Sequence, residues 1–249
     1  MRGIKVDYET QVKKELDQWE RKILKDIGVI EGFSRDMQKK IDAYIPQRIH
    51  TSISKTMEVA IKSVLGGINL IPVNKNMLVK ARLKTLPQLD REIDGIISRY
   101  KKLAAATGAG TGLGGILSLA VEYPALISLE LKMLQEIARA FGYDIREQNE
   151  RIYLLKIFIL AFSADCCRKR TYLEILKFKK TMNSAKAPEI DWQELYHEYK
   201  EKVEFKKMLQ IIPGFGAIIG AWANYGLIDG LGETARNCYR LRKISSNNK

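Results

Sequence analysis

Two histidines, three cysteines and six prolines are spread over 249 residues, and each scarcity removes a class of explanation. The histidines, His50 and His197, stand far apart, and neither belongs to an HxxxH or HExxH pattern, so the spacing of a zinc site is missing. The cysteines are Cys166, Cys167 and Cys238; an adjacent pair with one distant residue is no disulfide framework, and no CxxC occurs. A reducing compartment is the simpler expectation. Nothing beside Cys166 would specifically lower a thiol pKa, and it reads as buried filler. Few prolines and little strand-like alternation favour helices. GxSxG and GxxxxGK[ST] are absent, which removes a nucleophile elbow and a P-loop. No residue stands out as catalytic, and no cofactor or metal is expected. The opening MRGIKVDYETQVKKEL lacks the apolar region of a signal peptide, so the expectation is a cytoplasmic protein, peripheral at the inner face of the cell membrane if it meets a membrane at all.

Acidic residues are the minority, 29 against 42 basic, for a net charge of +13. Residues 1–103 hold 21 basic and 13 acidic side chains and residues 168–249 hold 16 and 9, whereas residues 104–167 hold 5 and 7. The excess therefore sits in the flanks of a nearly neutral middle. Such a chain suits an anionic membrane surface, nucleic acid or an acidic protein. No nucleic-acid recognition motif is present, which disfavours the second of these. Arg168, Lys169, Arg170, Lys177, Lys179 and Lys180 form the densest basic cluster. Its bland reading is a solvated helix face; its functional reading is attraction to anionic lipid.

Charge is missing altogether from two stretches, 19 residues over 103–121 and 21 residues over 208–228. Nineteen residues of helix reach about 28 Å, roughly the thickness of a bilayer core. Glycines and hydroxyl residues weaken the first stretch, while Pro213, Gln210 and Asn224 interrupt the second, and mean hydropathy of the chain is −0.20. Buried or interface-lying helices are expected rather than spans. Gly110, Gly112 and Gly115 formally match GxGxxG, but the residues before them read as helix, not as the strand a dinucleotide site needs. Close backbone approach explains the glycines better: Gly108 with Gly112, Gly110 with Gly114, and Gly216 with Gly220 recur at a spacing of four, and Gly115 extends the first set. Glycine costs about 1 kcal/mol per helical position relative to alanine, which packing has to offset.

Four carboxylates border these apolar stretches. Glu122 and Glu130 flank Pro124, and Asp229 and Glu233 form an i,i+4 pair. A cavity lined by them would suit proton or metal chemistry on an unidentified substrate. The alternative is helix capping by Glu122 ahead of a helix opened by Pro124, with pairing to Arg139 or Arg236.

Periodic apolar residues predict an all-α protein of roughly nine to eleven helices in one domain over 1–249. Its parts are amphipathic helices over 6–65, a core over 87–164, a basic helix over 168–180 and C-terminal helices over 191–243. The two glycine-rich stretches are expected to pack together at the centre.

The segment LAAATGAGTGLGGILSLAVEYPALISLELKMLQEIARAFGYD resembles the central segment of the EcsC family. QWERKIL, YIPQRIHTSI and IPGFGAIIGAWANYG resemble blocks of the same family in the same order, so the resemblance covers nearly the whole chain. Glu122 stands where aspartate is more often expected. The family is named for an operon that encodes an ABC transporter's ATPase and membrane subunits. The resemblance thus implies a bacterial cytoplasmic protein linked to the membrane or to transport, with transporter subunits as partners. It carries over no catalytic residues, and it leaves the oligomeric state open.

Overall fold

The computed structural model describes residues 2–25, 47–68, 70–111, 115–162, 165–181 and 216–247. Among them are eight helices and no strand: α1 (Arg2–Leu24), α2 (Gln47–Leu65), α3 (Lys75–Arg82), α4 (Leu86–Thr111), α5 (Gly115–Ala140), α6 (Gln148–Phe162), α7 (Asp165–Thr181) and α8 (Gly216–Asn247). The all-α, single-domain expectation holds. Parts of the helices expected over 6–65 and 191–243 lie outside the described residues.

Helix boundaries follow local chemistry. Thr85 precedes α4 with Gln88 three residues on; the Thr85 N–H donates to Gln88 Oε1 at 2.9 Å, half of a capping box. Asn74 caps α3 by accepting from the Asn76 N–H. α5 stops at Gly142, where φ is +85° and the Tyr143 N–H reaches back to the Ala138 carbonyl. A Cβ at Gly142 would also sit 3.0 Å from the Arg82 backbone nitrogen, so glycine is required there twice over.

Pro124 does not open a helix, contrary to expectation; it lies inside α5, so Glu122 is a mid-helix residue and not a cap. Burial explains the continuity. Tyr123, Leu126, Ile127, Leu131, Met133, Leu134 and Ile137 are all buried on the same helix. At about 1.5–3 kcal/mol for each large apolar side chain, they outweigh one lost backbone hydrogen bond.

One core cluster joins α1, α2, α4, α5, α6, α7 and α8, filled by side chains such as Ile93, Leu126, Phe158 and Tyr239. A smaller cluster of Val12, Leu16, Leu86 and Ile244 ties α1 across the outer ends of α4 and α8.

The most extensive helix contact is the antiparallel pair α4 and α8. Along α4 the contacts step by four and three residues, the rhythm of a coiled-coil seam. Asp90 bonds Arg240 at 2.8 Å and Asp94 bonds Arg236 at 2.7 Å. Ile97 then packs over Gly232, Lys101 bonds Asp229 at 2.7 Å, and Asn224 Nδ2 donates to the Ala104 carbonyl at 3.1 Å. The last step sets Gly108 against Gly220. A Cβ on Gly108 would lie 2.6 Å from the Gly220 carbonyl carbon and from Asn224 Nδ2. The two glycine-rich stretches do touch, as expected, but at one end of the pair rather than in the centre. Small residues bring little apolar area, and the larger side chains take the middle.

The glycines are not equivalent. Gly108 and Gly220 are buried at the seam, whereas Gly110 faces outward with open space around it, so its role as a packing glycine is corrected. Gly115 and Gly216 are the first residues of α5 and α8, and Gly112 and Gly114 lie outside the described residues. Gly108→Ala should therefore lower the unfolding free energy by about 2 kcal/mol through overpacking against backbone. Gly110→Ala should raise it by up to about 1 kcal/mol. Urea denaturation of the two variants checks the contrast.

Candidate functional site

Beyond Lys101 and Lys102 the α4–α8 pair carries no charge: residues 103–111 of α4 and 216–228 of α8 contain none. Gly220, Ala223, Asn224 and Leu227 turn inward and are buried. Because Gly220 brings the helices so close, the opposite face of α8 points away from the protein. It carries Ile218, Trp222 and Tyr225, spaced as neighbours on one helix face. They are 69%, 62% and 43% exposed, and Leu103 on α4 is 47% exposed. Trp and Tyr combine an apolar body with a polar tip, which suits a boundary between water and an apolar phase.

The apolar face ends at a charged boundary. The Lys101 ammonium bonds Asp229 and lies 4.2 Å from the centre of the Tyr225 ring. Burial pulls the Lys101 pKa down, but the hydrogen bonds that its ammonium donates to Asp229 and Tyr225 outweigh this and hold it above the ordinary lysine value. Lys102 beside it is exposed. None of the described helices is long and apolar enough to cross a membrane.

The described border carboxylates, Glu130, Asp229 and Glu233, do not share one environment. Glu130 is fully enclosed within α5, whereas Asp229 and Glu233 are exposed on α8. Their expected arginine partners are engaged elsewhere: Arg236 with Asp94 and, at 3.0 Å, Arg139 with the Pro72 carbonyl. The Glu122 side chain lies outside the described residues. Among the described residues no group of His, Cys, Asp and Glu could hold a metal ion. The residues leading to Gly110 are helix, so the strand of a dinucleotide fingerprint is not there.

The basic cluster falls on α7. Tyr172, Ile175 and Phe178 turn inward, with Tyr172 edge-on to Trp19. Lys169, Arg170 and Lys177 are exposed together with Leu173 and Leu176, and Arg168 is half-buried. The side chains of Lys179 and Lys180 lie outside the described residues.

A buried polar cluster near the far end of α8 has no counterpart in the sequence reading. Glu150 on α6 accepts from the Tyr239 hydroxyl and from Arg242 Nη1, the latter at 2.7 Å. The Arg242 guanidinium lies 3.7 Å from the Tyr143 ring centre and 4.7 Å from that of Tyr153. Burial pushes the Glu150 carboxyl above its usual range, against the pull of Arg242 and Tyr239. Burial alone pushes the Cys238 thiol up, away from nucleophilic use. Glu150 and Arg242 satisfy each other, and the cluster locks α6 to α8.

Removing one member exposes that role. Arg242→Met should cost about 3 kcal/mol, because it leaves a buried carboxylate without its cation. A carboxyl whose folded pKa lies above its unfolded value adds stability when protonated and loses it as pH rises through that interval. The variant should accordingly be less destabilised at pH 5 than at pH 7.5, and Glu150→Gln in the same chain should recover part of the loss. Urea unfolding at the two pH values measures both effects.

The model of the EcsC protein family matches residues 10–244. Protein EcsC of Bacillus subtilis (strain 168) is 34% identical over 225 residues, covering 90% of this chain and 92% of that protein. A second protein of that organism, uncharacterized protein YdbA, is 31% identical over 252 residues, covering 94% of this chain and 92% of its own. No solved structure matches. The family match runs from within α1 to within α8 and takes in both glycine-rich stretches and the seam between them. The chain belongs to the EcsC protein family.

Proposed function

We propose that this protein is a non-enzymatic, membrane-peripheral helical protein that works at the anionic inner face of the cell membrane, with ABC transporter subunits as its partners. The observation that carries the reading is the exterior of α7, where Leu173 and Leu176 stand exposed among Lys169, Arg170 and Lys177. On the face of α7 turned away from the core, lysine and arginine around exposed leucines suit an anionic interface. The net charge of +13 adds long-range attraction of the same sign. Membership of the EcsC family supports the partner class, since the family is named for an operon encoding a transporter's ATPase and membrane subunits.

Co-sedimentation with phosphatidylcholine vesicles, with and without phosphatidylglycerol, tests the surface. Pelleting should require the anionic lipid and weaken as salt is raised. Neutralising Lys169, Arg170 and Lys177 together should weaken binding about a hundredfold, at about 1 kcal/mol per basic residue. Pelleting that ignores lipid charge would contradict the reading, and a steep salt slope toward DNA or RNA would favour a nucleic-acid partner instead. Recovery of transporter subunits with the full chain from solubilised membranes tests the partner class.

A further inference from the structure

Resting on the membrane-surface reading, we propose that the charge-free end of the α4–α8 pair lodges in one leaflet of an anionic bilayer, led by Ile218 and Trp222. The two helices supply matching apolar lengths. Nine uncharged residues from Leu103 to Thr111 and thirteen from Gly216 to Ile228 give roughly 13 and 19 Å of helix at 1.5 Å per residue. Half of a bilayer core is about 15 Å. Both runs are thus too short to cross the two leaflets, in line with the absence of a spanning helix among the described residues.

Surface chemistry changes at the right level. Among the described side chains of this end, Ile218, Trp222, Tyr225 and Leu103 are the large exposed ones. One turn back stands the exposed Lys102, placed for lipid phosphates, beside Lys101, which neutralises Asp229. Glu233, a further turn from the end, stays in water. The last carbonyls of α4 and the first N–H groups of α8 have no partner within their own helices, so the pair lies along the interface with its exposed face down and keeps both helix ends at headgroup level. Trp222 therefore sits at the boundary of headgroups and acyl chains, about 5–10 Å deep, as interfacial helices do. The close approach at Gly108 and Gly220 makes the wedge stiff, because neither helix can roll without a backbone clash.

Tryptophan fluorescence of the full chain, bound to phosphatidylcholine–phosphatidylglycerol vesicles brominated near the top or near the end of the acyl chains, reads the depth. Trp222→Phe subtracts the signal of Trp19 and Trp192. The expected result is quenching of the Trp222 component, stronger with the shallow label, and a loss of vesicle affinity on the order of tenfold in Ile218→Glu. Ile218 is exposed, so the variant should keep the melting temperature of the parent. Vesicle binding with Trp222 unquenched would overturn the insertion and leave the surface reading in place. Absence of binding to anionic vesicles would overturn both. A soluble dimer that Ile218→Glu dissociates, with no quenching by lipid, would assign the patch to a second copy of the chain.

Discussion

Two backbones meeting at Gly108 and Gly220 set the geometry of this molecule. With no Cβ between them, α4 and α8 run together closely enough for Asn224 to reach the Ala104 carbonyl from one helix to the other. Larger residues would separate the helices, which costs both packing and that buried hydrogen bond. Near that contact the inward face of α8 is therefore narrow, made of Gly220, Ala223 and Asn224, and Ile218 and Trp222 stand on the outward face. The exposure of Ile218 and Trp222 is a consequence of the glycine contact and not a separate feature of the surface.

The seam is graded along its length. Toward the end where α4 begins it is ionic, with Arg240 held by Asp90 and Glu15, and Arg236 by Asp94. In the middle an aliphatic side chain covers a glycine. At the far end only small residues and one asparagine remain. Ion pairs fix register and direction, since a shift by one turn would leave Arg240 buried beside the wrong side chain. Glycines fix distance. Together they explain how a single pair of helices can be anchored at one end and present an uncharged, aromatic surface at the other.

Much of this was legible in the sequence, and the misses have physical causes. Helical periodicity and the start of the core at residue 87 are legible from local signals, because caps and turns are determined by a few adjacent residues. The meeting of the two glycine-rich stretches followed from their composition. The continuity of α5 through Pro124 did not, since it depends on how much apolar surface the rest of the fold buries on either side. Gly110 could not be told from Gly108 by spacing alone; which of two glycines two residues apart faces a partner is decided by the roll of the helix. The pairing of Asp229 with Lys101 instead of Arg236, and the Glu150–Arg242 cluster, join residues far apart in the chain. Ile218, Trp222 and Tyr225 stand at helical spacing in the sequence, but an uncharged stretch does not show which of its faces another helix covers.

Selective glycine labelling in a deuterated background allows the seam to be observed directly. A nuclear Overhauser contact is expected between the α-protons of Gly108 and the backbone of Gly220, with a second to the Asn224 side chain. Assigned resonances that show neither contact, with larger side chains found between the two helices, would contradict it.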